Sequence, residues 1–336
     1  MKPSILALLL ALAAGAAQAS GLADDDSVAH KAICKAVGQR EPPAAHRPTP
    51  AQSKALAKCD AEALYYGEVG PPDYVKARLC ALKDGGAADD QSVFNDDVIL
   101  MQIYANGRGV PRDMDLAIAY ACKDDAQAPA EFTGRLDSLI ARRAEPDPKP
   151  FDYCDDITSG YMEGMCAARD SQIADKGRAA GLDRVAARLP PAARAPFGAL
   201  KTAAAAFASA HGDGEVDLSG TGRAAFEIEA EDAARTAFQH HLDALLNHRW
   251  PAASPTAARK ADAELNAAYR ATLAAVGKGQ SGTVEPRGVR DAQRRWLAYR
   301  DAFVAFAKAA APGVDAPSVL ADLTRERTRM LREIAS

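Results

Sequence analysis

The stretch that decides the fold is "VRDAQRRWLAYRDAFVAF", residues 289–306. It sets Trp296, Tyr299, Phe303 and Phe306 among arginines, in a chain with only 6% aromatic residues. The apolar positions Val289, Ala292, Trp296, Tyr299, Phe303 and Phe306 recur at spacings of 3, 4, 3, 4 and 3. That is the narrow seam of a helix packed nearly parallel or antiparallel to another, so the aromatics face a neighbouring helix rather than water. The charges fall between seam positions, and Asp291 lies one turn from Arg294 and Arg295, where an exposed pair contributes only about 0.3–0.5 kcal/mol. Partner seams flank the stretch: Leu265, Tyr269, Thr272 and Val276 before it, and Leu320, Leu323, Met330 and Ile334 after it. A compact bundle of three antiparallel helices is therefore predicted over residues 254–336.

Working outward, alanine is abundant and β-branched residues are sparse, so propensity leans helical almost everywhere. Long helices are predicted over 190–211, 223–248, 254–276, 286–310 and 316–334. The breaks are "HGDGEVDLSGTG", "HRWPAASP", "GKGQSGTVEP" and "APGVDAP", each rich in helix-stopping residues. A linker is predicted in "RRAEPDPKPFDYC", and 336 residues suffice for two domains. Upstream, "AEALYYGEVGPPDYVKARLCAL" and "VILMQIYANGRGVPRDMDLAIAYAC" align at an offset of 40, placing Asp73, Ala77 and Ala81 over Asp113, Ala117 and Ala121. A period near 40 with a Gly/Pro turn at its centre marks stacked helical hairpins. The expected class is all-α: a short helical-hairpin repeat (solenoid) domain followed by antiparallel helical bundles. The expected divisions are a leader at 1–19, an irregular proline-rich lead-in at 20–50, repeats at 51–145, and bundles at 152–250 and 254–336.

The leader reading rests on "MKPSILALLLALAAGAAQAS": a cation at Lys2, an apolar run and small residues at Ala17 and Ala19 give a secretory signal cut after Ala19. No later run is apolar for long enough to span a bilayer. The expected location is thus periplasmic or secreted. The six cysteines, Cys34, Cys59, Cys80, Cys122, Cys154 and Cys166, are then read as disulfide partners. Charge is nearly balanced, 41 cationic against 45 acidic side chains, and removing Lys2 leaves 40 against 45, a formal −5. That gives no argument for nucleic acid. The distribution is uneven: residues 20–150 carry 16 cationic and 21 anionic side chains, whereas 258–336 carry 14 and 9.

Two resemblances follow from these motifs. "YANGRGVPRDMDLAIAY" at 104–120 resembles the Sel-like, tetratricopeptide-type repeat family, with a weaker copy at 65–82. That resemblance implies a bridge from Cys59 to Cys80 across one hairpin, which would be worth about 2–4 kcal/mol. "ADAELNAAYRATLAAV", "VRDAQRRWLAYRDAF" and "LADLTRERTRMLREI" together resemble the LprI-type lysozyme-inhibitor family. The matching positions include Asp262, Leu265, Asn266 and Tyr269, then Gln293, Trp296, Tyr299, Arg300 and Asp301, and finally Arg327. "CDDITSGYMEGMC" at 154–166 looks like the cysteine pair that opens the family, whereas Phe303 stands where a later cysteine is common. "LKTAAAAFASAH" at 200–211 aligns with "VRDAQRRWLAYR", Phe207 under Trp296, so 152–250 reads as a degenerate second copy.

Chemistry is sparse. No nucleophile elbow, phosphate-binding glycine loop or outstanding carboxylate pair is present, so no enzyme and no cofactor are expected. His240, His241 and His248 lack further ligands nearby and read as surface or half-buried side chains, and the cysteine spacing suits no common zinc site. "DGEVDLSGT" at 213–221 lacks the glycine and closing glutamate of a calcium loop and reads as a plain turn. Arg300 and Asp301 are expected to pair inside the bundle or fix the third helix, the alternative being part of a surface presented to a partner, and Asn266 is expected to bond across the seam. The resemblance implies an exported binding protein whose protein partner is lysozyme; the alternative is a helical-repeat scaffold or adaptor of an envelope or secretion complex.

Overall fold

The computed structural model describes residues 28–83, 92–124, 128–146 and 148–336. The leader at 1–19 and its cut lie outside the described residues. Among the described residues every regular element is helical, and the chain divides into two units, Met1–Thr158 and Ser159–Ser336.

Unit 1 holds α1 (residues 28–37), α2 (Pro50–Ala55), α3 (Ala61–Tyr65), α4 (Tyr74–Ala81), α5 (Asp96–Asn106), α6 (Met114–Ala121) and α7 (Pro129–Arg143). The 40-residue offset reappears in the backbone. Asp73 N–H donates to Leu64 O and Asp113 N–H to Tyr104 O, each at 3.0 Å. Asp73 and Asp113 then cap the second helix of their hairpins, accepting from the backbone N–H of Lys76 and Leu116. Gly67 and Gly107 turn the chain with φ of 73° and 64°, in the left-handed region that costs glycine least. Ala77 and Ala117 are wholly buried, small enough for the helices of each pair to close on one another.

The first correction is at 20–50. Residues 28–37, placed in an irregular lead-in, are helical, because the prolines that forbid a helix begin only at Pro42. Disulfides join Cys34 to Cys122, 88 residues apart, and Cys59 to Cys80, 21 apart. Cys154 and Cys166 are likewise disulfide-bonded. Closing the longer loop of unit 1 removes more freedom from the unfolded chain, an effect of about 4–5 kcal/mol in the entropic model.

Unit 2 holds α8 (Gly160–Arg188), α9 (Pro191–Glu215), α10 (Arg223–Leu246), α11 (Pro255–Val276), α12 (Pro286–Ala310) and α13 (Ala316–Ile334). These form two up-down-up triplets. In each the first and third helices run parallel and pack together: α8 on α10, joined by Ser171 to Asp232, and α11 on α13, joined by the Thr272 hydroxyl to Leu331 O at 2.7 Å. The middle helices turn toward each other, and α9 with α12 is the most extensive helix pairing among the described residues. Phe207 stacks on Tyr299 with centroids 5.9 Å apart, and Phe197 meets Phe306 at 5.3 Å.

Residues 152–250 and 254–336 are therefore not two successive bundles. The seam of α12 is wider than α11 and α13 cover, and α9 supplies the missing apolar face with Phe197, Leu200, Ala204 and Phe207. Nor does α9 stop at His211. Gly212 and Gly214, read as stop signals, lie within the helix because neighbours leave no room for a side chain: a Cβ on Gly212 would come 2.9 Å from Glu227 O, and one on Gly214 2.8 Å from Gly288 Cα. These glycines trade helix propensity for close approach. A paired substitution tests this. Gly288→Ala should lower the unfolding free energy by about 1–3 kcal/mol through overpacking. Gly177→Ala in α8, with nothing within 4 Å of the added Cβ, should raise it by about 0.5–1 kcal/mol. Urea unfolding followed by tryptophan fluorescence reads unit 2 alone, since both tryptophans, Trp250 and Trp296, lie there.

Candidate functional site

Four of the residues singled out by their motif, Gln293, Trp296, Tyr299 and Arg327, converge on the junction of α9, α12 and α13. Arg327, projecting from α13, is fully buried, as is Glu215 at the end of α9. Its guanidinium donates to both Glu215 oxygens, Nη1 to Oε2 at 2.7 Å and Nη2 to Oε1 at 2.5 Å, and its Nε donates to Gln293 Oε1 at 2.9 Å. His211, one turn back on α9, meets Glu215 Oε2 at 2.9 Å, and Phe207 lies under the guanidinium at 5.4 Å. Burial pushes the Glu215 carboxyl up, but hydrogen bonds from Arg327 and His211 outweigh it and hold the group below its usual range.

Beside this pair, α9, α10, α12 and α13 line a cleft of about 220 Å³. Its floor is aromatic, with Phe207, Phe238, Trp296 and Tyr299, and its rim includes His241, Glu326 and Arg329. The buried Tyr299 hydroxyl meets His241 Nδ1 at 3.2 Å, and His241 Nε2 meets Glu326 Oε2 at 2.8 Å. Burial raises Tyr299 well above the usual phenol range. Burial likewise pushes Glu326 up, but the His241 hydrogen bond prevails and leaves it below the usual range. His241 is thus spent on structure, while His240 and His248 are exposed. Among the described residues no group of three or more His, Cys, Asp or Glu side chains is placed to hold a metal.

The remaining motif positions separate by role. Leu265 is in the core and Tyr269 packs against it, half-buried. Asn266 is exposed and donates to Asp262 on its own helix, 2.8 Å to the carbonyl and 3.1 Å to the carboxylate, so the expected bond across the seam is not made. One helical turn separates the two residues, and that local bond forms without desolvating either. Arg300 pairs with its neighbour Asp301 at 2.8 Å and lies over the Trp296 ring at 5.3 Å, shielding the edge of the core rather than bracing α13. Glu215 and His211 escaped the sequence reading as site residues, whereas Phe207 was singled out by its alignment with Trp296. Glu215 stands in a glycine-rich run resembling a loop, and its partner is 112 residues away.

The geometry is that of a scaffold built around one motif. Residues 251–331 match the family model Lysozyme inhibitor LprI. The matched segment covers α11, α12 and most of α13, and so supplies Arg327, Gln293, Trp296 and Tyr299 but not Glu215, the partner of Arg327 on α9. No curated protein and no solved structure matches the chain.

The buried pair makes a clear stability prediction. Glu215→Gln should destabilise unit 2 by about 3–5 kcal/mol, because it leaves Arg327 buried without a counter-charge, and Glu215→Leu with Arg327→Met should recover part of that loss. A carboxyl held below its ordinary 4.5 in the folded state contributes stability that is complete above that pH and fades as pH falls through the folded value. Urea midpoints across the acid range should therefore drop for the wild type below about pH 4.5, and Glu215→Gln should flatten that limb.

Proposed function

We propose that this protein is an exported, non-enzymatic binding protein that acts as a lysozyme inhibitor through unit 2. The observation that carries the reading is the match of residues 251–331 to the inhibitor family, with the family's aromatic and cationic motif residues built into the frame of the bundle. Because Trp296, Gln293 and Arg327 are buried, partner binding falls to exposed side chains that the frame positions. Among the described residues no helix is long and apolar enough to cross a membrane. The secretory pattern of residues 1–19 and the full use of cysteines in disulfides favour an oxidising compartment such as the periplasm. There a lysozyme inhibitor would protect the cell wall. The hairpins of unit 1, with their 40-residue recurrence, fit Sel-like repeats offering a second protein-binding face; on that account an envelope scaffold is the competing reading.

Two measurements decide. Purified mature protein added to a turbidity assay of cell-wall lysis should slow lysozyme in proportion to its concentration, and no effect at large molar excess removes the inhibitor reading in favour of the scaffold. Thiol titration should find no reactive thiol in the native protein and six after reduction and unfolding, matching its six cysteines. Six thiols without reductant would overturn the export argument.

A further inference from the structure

At one end of unit 2 the α11–α12 connection, residues 277–285, meets the α9–α10 connection, residues 216–222. Asp217 staples them together. Its carboxylate accepts from the Thr283 backbone N–H at 2.9 Å and hydroxyl at 3.1 Å, and from the Ser219 backbone N–H at 3.1 Å and hydroxyl at 2.9 Å. Thr283 Oγ1 in turn accepts from the Leu218 N–H at 2.6 Å. Gly282, with φ 59°, passes so near that a Cβ would fall onto the Asp217 carboxylate. The Ser281 hydroxyl donates to Ile334 O at 2.7 Å, pinning the same connection to the end of α13.

Gly277 to Gln280, Gly282 and Thr283 are nevertheless exposed. Ordering backbone costs about 1–2 kcal/mol per residue, and these polar residues return little apolar burial for it. A surface corner held this firmly is pre-organised, the condition under which a binding element loses least entropy on association. The charges beside it are free to meet a partner. Lys278 on the connection, with Arg287 and Arg290 in the first turns of α12, are exposed and make no side-chain hydrogen bond or ion pair among the described residues. Other arginines of unit 2 are matched, Arg294 with Asp291, Arg235 with Asp175 and Glu231, and Arg178 with Asp232, whereas Arg184 and Arg188 on α8 and Arg325 on α13 are exposed and, among the described residues, as unpaired as the corner's own cations. What sets the corner apart is the staple that holds it.

We propose that this stapled corner, carrying Lys278, Arg287 and Arg290, is the surface that enters the partner's cleft and meets the carboxylates there. The proposal rests on the inhibitor reading and names its contact. Glycoside hydrolases work with a pair of carboxyl groups in a substrate cleft. A cleft takes an exposed corner rather than a groove, and unpaired cations complement acidic walls. Asp217 is a positioning residue: it touches no partner and acts by holding the corner in shape.

The test uses the full mature chain against a c-type lysozyme. Wild-type inhibition is measured first, and its failure removes the inhibitor reading itself. Given inhibition, the triple variant Lys278→Glu, Arg287→Glu, Arg290→Glu should raise the half-inhibiting concentration about tenfold or more, with inhibition by the wild type weakening as salt is added. Arg294→Glu with Arg295→Glu, farther along α12, should change it far less. Equal inhibition by the triple variant, or equal loss in the control pair, overturns the assignment while leaving the inhibitor reading intact. Should the triple variant lose the wild-type melting transition, wild-type binding to lysozyme preloaded with a chitooligosaccharide decides instead. Competition supports the corner, and undiminished binding overturns it.

Discussion

A guanidinium and a carboxylate sealed from water, Arg327 and Glu215, set the terms for the C-terminal unit. Removing two ions from water costs several kcal/mol each, and the cost is met only when geometry and supporting hydrogen bonds are close to ideal. Here Arg327 has both Glu215 oxygens and Gln293, and Glu215 has His211 as well. Such a pair tolerates little displacement of α9 against α12 and α13. Its first effect is therefore on specificity: a slip of one turn along the α9–α12 seam would keep much of the aromatic contact but strand two buried charges.

That constraint also explains the pairing of the middle helices. Aromatic seams are permissive, since Phe, Tyr and Trp gain from burial in many relative positions. Register comes from features that fit in one way only, namely the ion pair, the contact of Gly214 with Gly288, and the Thr272–Leu331 and Ser281–Ile334 bonds that fix α11 and its following connection to α13. Unit 1 answers the same problem differently. Its hairpins are short, α3 having five residues and α4 and α6 eight each, too few to hold helices by propensity. Disulfides, aspartate caps and wholly buried alanines supply what length does not.

Helix positions were legible in the sequence wherever a seam was regular. The predicted ranges 254–276, 286–310 and 316–334 nearly coincide with α11, α12 and α13, because the 3-4 alternation and the flanking Pro, Gly and Asp residues are local signals. The recurrence of Asp73 at Asp113 was legible for the same reason, while their capping of α4 and α6 is shown by the structure. Gly212 and Gly214 misled because a glycine that ends a helix and a glycine that lets two helices touch look alike in one dimension. Glu215 was illegible, since nothing in a run of acidic and glycine residues distinguishes a carboxylate facing water from one facing an arginine 112 residues onward.

The sequence by itself determined the all-helical class, the 40-residue hairpin period, the α12 seam and the likeness of 251–331 to LprI. Each is written in the spacing of neighbouring residues, within reach of a helical turn. Only the tertiary structure decided that the six helices of unit 2 form one body, that α12 spends its aromatics on α9, and that the LprI arginine finds its counter-charge outside the matched segment. Those outcomes depend on which distant faces meet, and burial energy is blind to sequence separation: an apolar or charged face is matched by whatever surface completes it.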